Sequence, residues 1–277
     1  TKQNSLGYDY QYLRGDTKSY ENYDENNTFG NNLSILEDIN SDGKNELLIE
    51  DTLSGTAYVF DINNFYPDWN AQRIEELNRP SGPAYEGKFI ELDTLNSSKY
   101  SGYFTRFASQ ENTDLETYIE SAGDIDGDGK GDFLIKVLNK NETDDQSIYF
   151  VFGDELEENE SNFWSIENDL NTEFKISQLP ADNYVDLGSL SSIGDIDGDG
   201  LNDLFINSNR DESFYLIKGN FIEQNKGSNI YFDDLDDGQY SQLYSNNQNL
   251  SSSIISNIGD FNGDKIDDIG IISKSEA

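Results

Sequence analysis

The chain has 277 residues and carries 55 Asp and Glu against 18 Lys and Arg, a formal charge of −37. Such a surface repels nucleic acid and anionic membranes. With no Cys and no His, disulfides and thiol chemistry are excluded, and the commonest general base and transition-metal ligand is missing.

Length allows one large domain or two modest ones. Acidity on this scale suits disorder, but 13% aromatic residues and regular apolar segments argue for a packed fold. No apolar stretch approaches the roughly 20 residues of a membrane span. There is no Met, so the expectation is a processed or trimmed chain whose signal peptide, if it had one, is gone.

In chain order, the first predicted strand is Tyr8-Asp-Tyr-Gln-Tyr-Leu-Arg-Gly15. It runs into Arg14-Gly15-Asp16, the tripeptide that integrins recognise, here at an expected strand-end turn. The first acidic loop follows, Asp38-Ile-Asn-Ser-Asp-Gly-Lys-Asn-Glu46, and leads into the apolar Leu47-Leu-Ile49 and then Ala57-Tyr-Val-Phe-Asp61. Residues 62–100 form the longest connection, with a short helix predicted over 70–77 before Pro80. That connection holds Tyr66, Tyr85, Arg73, Arg79, Lys88 and Lys99 and is the best candidate for a contact surface, while Trp69 within it, followed by Ile74, is expected to pack. A strand is predicted at Tyr103-Phe-Thr-Arg-Phe107.

The same grammar then recurs. Ser121-Ala-Gly123 precedes Asp124-Ile-Asp-Gly-Asp-Gly-Lys-Gly-Asp132, and Phe133-Leu-Ile135 and Ile148-Tyr-Phe-Val-Phe-Gly153 come after it. Trp164 and Ile166 sit in the connection that follows, as Tyr231 and Leu235 do one unit later, and all are expected to pack. Glu173-Phe-Lys-Ile-Ser177 is a further strand. Ser192-Ile-Gly194 precedes Asp195-Ile-Asp-Gly-Asp-Gly-Leu-Asn-Asp203, with Leu204-Phe-Ile206 and Phe214-Tyr-Leu-Ile-Lys-Gly219 behind. Asn257-Ile-Gly259 precedes Asp260-Phe-Asn-Gly-Asp-Lys-Ile-Asp-Asp268 and Ile269-Gly-Ile271. Asn26, Asn32, Asn96, Asn141, Asn159 and Asn249 lie in Asn-x-Ser/Thr sequons, which matter only in a source that glycosylates.

The loops have the chemistry of a hard-cation site. Ca²⁺ takes six to eight oxygens at roughly 2.3–2.6 Å. Oxygen side chains stand at positions 1, 3, 5 and 9: Asp38, Asn40, Asp42 and Glu46; Asp124, Asp126, Asp128 and Asp132; Asp195, Asp197, Asp199 and Asp203; Asp260, Asn262, Asp264 and Asp268. The carbonyl of position 7 (Lys44, Lys130, Leu201, Ile266) adds another oxygen. Gly43, Gly129 and Gly200 at position 6 permit the turn, and Lys265 replaces that Gly in the fourth loop. Loops 1 and 4 carry Asn at position 3 and are expected to bind more weakly. An EF-hand needs a bidentate Glu at position 12, where this chain has Ile49, Ile135, Ile206 and Ile271. Oxygen ligands also suit Mg²⁺ and Mn²⁺; the carboxylate number favours Ca²⁺, about four ions. Weak Ca²⁺ sites stay filled where Ca²⁺ is millimolar, which points outside the cell.

Loop-to-loop spacings are 86, 71 and 65 residues, and about four strands per unit makes a propeller blade. The expected fold is therefore an all-β, four-bladed β-propeller spanning 1–277 as one domain. Its fourth blade stops after two strands, so residues 8–14 are expected to supply the third strand, antiparallel to 268–273. Such pairing of the termini removes an open edge.

The segments Gly123–Asp132 and Gly194–Asp203, with Tyr149-Phe-Val-Phe-Gly153, resemble FG-GAP repeats. These build the integrin α-subunit head and many bacterial surface proteins, including VCBS-repeat proteins. The resemblance covers nearly the whole chain. It implies a β-propeller with Ca²⁺ in hairpin loops on one face, held at the loop positions named above. The integrin head has seven repeats and this chain has four, so integrin function does not carry over. The expected role is a secreted or cell-surface, calcium-stabilised adhesion or structural module with a protein or glycan partner. One alternative is the subunit of an extracellular homopolymer joined by strand addition. Another is a glycan-binding or polysaccharide-lyase-like module. An enzyme is not expected: no Ser-His-Asp set, Cys nucleophile or phosphate loop is present.

Overall fold

The structure, a computed structural model, describes residues 12–14, 29–51, 55–61, 89–91, 104–108, 115–139, 146–158, 163–166, 168–170, 172–175, 187–208, 213–232, 235, 238–243 and 254–272. Those residues make an all-β protein with two short helices, Gly153–Glu158 (α1) and Gly219–Gln224 (α2). Among them no helix is long and apolar enough to cross a membrane.

Three antiparallel four-strand meanders follow one another, after a first short strand, β1 (Tyr12–Arg14). Unit 1 is β2 (Phe29–Leu36), β3 (Glu46–Asp51), β4 (Thr56–Phe60) and β6 (Phe104–Ala108), with β5 (Phe89–Glu91) in the connection before β6. Unit 2 is β7 (Leu115–Gly123), β8 (Asp132–Asn139), β9 (Gln146–Val151) and β11 (Thr172–Lys175), with β10 (Phe163–Ser165) before β11. Unit 3 is β12 (Leu187–Gly194), β13 (Asp203–Ser208), β14 (Ser213–Ile217) and β16 (Tyr240–Leu243), with β15 (Ile230–Tyr231) before β16. Unit 4 has two described strands, β17 (Ile254–Gly259) and β18 (Asp268–Ile272).

The predicted strands thus fall where the sequence puts them, and each acidic loop joins the first two strands of its unit. The apolar runs after loops 1 to 3 are buried on both faces: Leu48, Ile49, Phe133, Leu134, Ile135, Leu204, Phe205 and Ile206 are all in the core, whereas Ile271 after loop 4 is 46% exposed. Continuous burial explains why these segments do not alternate as one-sided strands do.

The cores lie between units. One joins Leu36, Leu48, Val59 and Phe107 of unit 1 to Ile119, Phe133, Ile135 and Val151 of unit 2. A second joins Ala122, Leu134 and Phe150 to Leu204, Ile206 and Tyr215. A third joins Ile193, Phe205 and Phe214 of unit 3 to Ile255 and Ile269 of unit 4. The first strands of successive units lie side by side, β2 by β7, β7 by β12 and β12 by β17. The sheets therefore stack face to face in chain order, each hiding the apolar face of the last. No closed ring is found among the described residues.

Each connection between a third and a fourth strand also reaches back. β10 pairs in parallel with β6 of the preceding unit, and β15 pairs in parallel with β11. Trp164 on β10 is buried against Phe107 at 5.9 Å, and the Ile166 N–H donates to the Ala108 carbonyl at 3.2 Å. Sequence reading places Trp164 and Ile166 as packing residues. It does not foresee these cross-unit straps.

The short first strand has one described neighbour. β1 pairs in parallel with β5, and β18 pairs with β17. A ladder between 8–14 and 268–273 is not among the described pairs, and residues 8–11 and 273 lie outside the described set. So do Trp69, the helix predicted over 70–77 and most of the 62–100 connection, as well as Gly15, Asp16 and all the sequon asparagines except Asn32. Asn32 Nδ2 donates to the Ile119 carbonyl at 3.0 Å, so this side chain is committed to the contact between units 1 and 2.

Small residues end the first strands of units 2, 3 and 4, and the structure gives a local cause. Register shifts before Gly123, Gly194 and Gly259 mark β-bulges. These glycines have φ of 67°, 75° and 67°, the left-handed region. A Cβ on Gly123 would run into the Asn202 side chain, and one on Gly194 into Asp267 and Asn257. The glycine lets each chain turn into its loop under the following loop.

Candidate metal centre

All four loops are built on one hydrogen-bond scaffold. The position 1 carboxylate accepts the position 6 N–H through Oδ2: Gly43 on Asp38 at 2.7 Å, Gly129 on Asp124 at 2.9 Å, Gly200 on Asp195 at 2.8 Å and Lys265 on Asp260 at 2.9 Å. Its Oδ1 accepts from position 4 or 5, as from Asp42, Gly127, Gly198 and Gly263. The position 3 oxygen of Asn40, Asp126, Asp197 and Asn262 accepts the position 5 N–H. Asp128, Asp199 and Asp264 in turn accept from position 7, at Lys130, Leu201 and Ile266. The side chains at positions 3 and 5 thus pin the backbone two residues on, an Asx-turn series, while position 1 gathers the N–H groups three to five residues on. The series curls the loop and fixes the backbone at position 7.

The curl needs left-handed backbone twice. Position 6 has φ of 82°, 86° and 94° at Gly43, Gly129 and Gly200, and 73° at Lys265. Position 4 has φ of 81°, 79° and 84° at Gly127, Gly198 and Gly263, and 58° at Ser41. Loops 1 and 4 each hold one non-glycine in a strained place. The strain at position 4 was not anticipated from sequence.

The position 9 carboxylates have a structural task as well. Asp132 Oδ2 accepts the Ile125 N–H at 2.8 Å, and Oδ1 accepts the Gly153 N–H at 2.9 Å. Asp203 repeats this with Ile196 at 3.1 Å and Gly219 at 2.9 Å. Glu46 takes the Ile39 N–H and Asn40 Nδ2, and Asp268 takes the Phe261 and Asn262 N–H groups. In units 2 and 3, therefore, position 9 ties the loop's start to the glycine after the third strand. This gives a physical reason for the Phe152-Gly153 and Lys218-Gly219 steps.

Two loops bring carboxylates together. Oxygens of Asp124, Asp126 and Asp132 lie within 4.8 Å of one another, as do those of Asp195, Asp197 and Asp199. A third group joins Asp126 and Asp128 to Asp154 of α1. Burial pushes Asp132 up to about 8, against its backbone hydrogen bonds, with Asp126 and Asp128 adding to the rise. Burial likewise takes Glu46 to about 7, helped by Asp61, Asp38 and Asp42, and Asp203 to about 6, helped by Asp197 and Asp199. These are crowded, partly desolvated carboxyls whose ionised form a hard divalent cation would stabilise. The donor set is oxygen alone, which fits such an ion.

Lysines stand at the same loops. Lys226 Nζ lies 2.6 Å from Asp126 Oδ2 and 2.9 Å from Asp154 Oδ1, 4.3 Å from the centroid of the Phe152 ring. Lys218 Nζ lies 3.1 Å from Asp197 Oδ2, and Lys44 Nζ 3.3 Å from Asp42 Oδ2. Sequence reasoning missed Asp154, Lys218 and Lys226. Asp154 and Lys218 flank the glycines that position 9 grips, a usable signal. Nothing local marks Lys226, which comes from the connection one unit later.

The loops are also wired to one another. The position 8 N–H of each donates to the position 1 carbonyl of the preceding loop: Gly131 to Asp38 at 3.1 Å, Asn202 to Asp124 at 3.4 Å and Asp267 to Asp195 at 3.0 Å. All four loops therefore lie along one edge of the stack. No family model matches the chain, and no curated protein matches it in sequence.

Proposed function

We propose that the chain is a calcium-stabilised β-propeller-type module that serves adhesion or structural interaction outside the cell, of the FG-GAP kind that its loops resemble. Calcium is its structural cofactor, held at the four loops. The observation that carries this reading is the fourfold repetition of one loop scaffold around position 1, with oxygen side chains at positions 1, 3, 5 and 9. Crowded carboxylates with raised pKa values at Asp132, Glu46 and Asp203 support a cation site. The loop-to-loop hydrogen bonds support a structural role for the metal, because whatever orders one loop also holds its neighbour.

The fold supplies faces and edges for a partner. Its surface charge of −37 would fall to about −29 with four bound ions, still strongly acidic. That favours a neutral or basic protein surface or a glycan as partner.

Calorimetric titration of chelator-stripped protein with Ca²⁺ tests the reading. About four sites are expected, with a sharply raised melting temperature on loading. A ligand that binds only the folded state adds about 2.7 kcal/mol per site at a hundredfold excess over Kd. One site or none, or a melt indifferent to calcium, defeats it.

A further inference from the structure

Among the described residues the stack has two faces with exposed apolar side chains, and the repeat shows what belongs on each. In every unit, side chains two apart on the first strand point to the same neighbour. Ser192 Oγ donates to the Ala122 carbonyl of the preceding unit, and Asn32 Nδ2 donates to the Ile119 carbonyl of the following one. By that alternation Leu33, Ile119, Leu190 and Ile255 are equivalent and face backward, whereas Leu36, Ala122, Ile193 and Ile258 face forward. Ile119 is 2% exposed, sunk in the core it shares with unit 1, but Leu33 is 57% exposed. Leu36, Ala122 and Ile193 are fully buried, but Ile258 is 50% exposed. Ile35, beside Leu33, is 66% exposed, and Ile272, facing forward on β18, is 69% exposed. Among the described residues, most of the large exposed apolar side chains sit in units 1 and 4.

Among the described side chains, the backward face of unit 1 is open along its inner strand, with Leu47 on β3 half-buried beside it. Ile49, Tyr58 and Phe60 on β3 and β4 are buried. What that face lacks is cover over its inner part. The parallel pairs say more. β10 and β15 each pair with the outermost strand of the preceding unit. β5 holds the same place in unit 1, and its parallel partner is β1. β1 therefore stands where the outermost strand of a preceding unit would stand. Unit 4, conversely, has described inner strands and no described outer ones.

We propose that the backward face of unit 1, with β1 beside it, and the forward face of unit 4 are the two halves of one contact, made head to tail between copies of this chain. The occupant of each face is the other face on a second copy. The argument is continuity: the three internal interfaces join a forward face to a backward face, and among the described residues these two faces are left with exposed apolar side chains. Within this chain they do not cover each other, as the exposure of Leu33 and Ile258 records. The contact is heterologous, so it builds chains or rings rather than closed two-fold dimers. It rests on the propeller-type reading for its geometry but not on the metal.

The test uses two variants of the full chain, each with one face spoiled at exposed positions. One carries Leu33→Asp and Ile35→Asp, the other Ile258→Asp and Ile272→Asp. Light scattering after size exclusion is run across concentration in about 0.15 M salt, where repulsion between acidic copies is screened, with calcium and with chelator. The unaltered chain should associate, each variant alone should be monomeric with its melt retained, and the mixture should give a one-to-one dimer. A strictly monomeric unaltered chain overturns the proposal, including the case in which hydrogen exchange finds both faces protected because the ring closes on itself. So does a variant that dimerises alone, or a mixture that stays monomeric while the unaltered chain associates. Absent calcium binding in the titration would sink the metal reading and leave this one standing.

Discussion

Lys226 reaches across 100 residues of sequence to place its Nζ 2.6 Å from Asp126 Oδ2, inside the loop of the preceding unit. The same ammonium pairs with Asp154. It stands where a divalent ion would need Asp126, and it carries the same sign of charge. Replacing it by Met should therefore tighten calcium at loop 2, by about tenfold if roughly 1.4 kcal/mol of repulsion is removed. The chelator-treated variant should melt lower, since Asp126 then loses its partner. Calorimetry and melts on the same preparation read both effects. Unchanged affinity would mean that Lys226 swings clear when the ion binds.

Loops 1 and 4 should be the weaker pair. Each has Asn at position 3 and a non-glycine in left-handed backbone, Ser41 at φ 58° and Lys265 at φ 73°. Asn40→Asp and Asn262→Asp should raise calcium affinity, and Lys265→Gly should stabilise the chain by about 1 kcal/mol with or without metal. A Lys265→Gly protein that melts lower would show that the side chain contributes more than the strain costs.

Much of this arrangement is legible in the sequence because it repeats. Ile135 and Ile206 behind the acidic loops mark buried strands, and Asp124 and Asp195 mark the start of each curl. The alternating oxygen positions reappear as a hydrogen-bond ladder. The missed features depend on contacts between units. Trp164 looks like a core residue in any context, and only the stack shows that it packs on Phe107 of another sheet. Gly123 reads as one more small residue before a loop, whereas its backbone and the Asn202 side chain above it are what exclude a Cβ. Tyr12–Arg14 reads as a third strand by its spacing, and its parallel pairing with Phe89–Glu91 is a neighbour that spacing does not announce.

Stability should depend on pH in opposite senses with and without calcium. Burial first, then neighbouring carboxylates, raise Asp132 to about 8, Glu46 to about 7 and Asp203 to about 6. Folding therefore favours their protonated forms. In chelator that contribution is full below the unfolded carboxylate range near 4 and is lost as pH rises through about 6 to 8. With calcium present, protons and the ion compete for the same oxygens, so binding and its stabilisation strengthen over that window. The gap between calcium-loaded and chelated melting temperatures should widen from pH 5 to pH 8. A constant gap would show that these carboxyls do not take part in binding.

The bulge glycines test the stacking directly. Gly123, Gly194 and Gly259 share a left-handed backbone, so Ala at any of them carries about 1–2 kcal/mol of strain. At Gly123 and Gly194 the new methyl also meets side chains of the next loop, Asn202 in one case and Asp267 with Asn257 in the other. At Gly259 it meets nothing within 4 Å. Gly123→Ala and Gly194→Ala should therefore cost about 2–5 kcal/mol in all, since displacing packed neighbours adds a further ~1–3 kcal/mol to the strain. Gly259→Ala should cost only the backbone share. Urea melts at low protein concentration compare the three. Equal losses at all three would mean that another loop covers Gly259 in the isolated chain, and the forward face of unit 4 would then already be occupied.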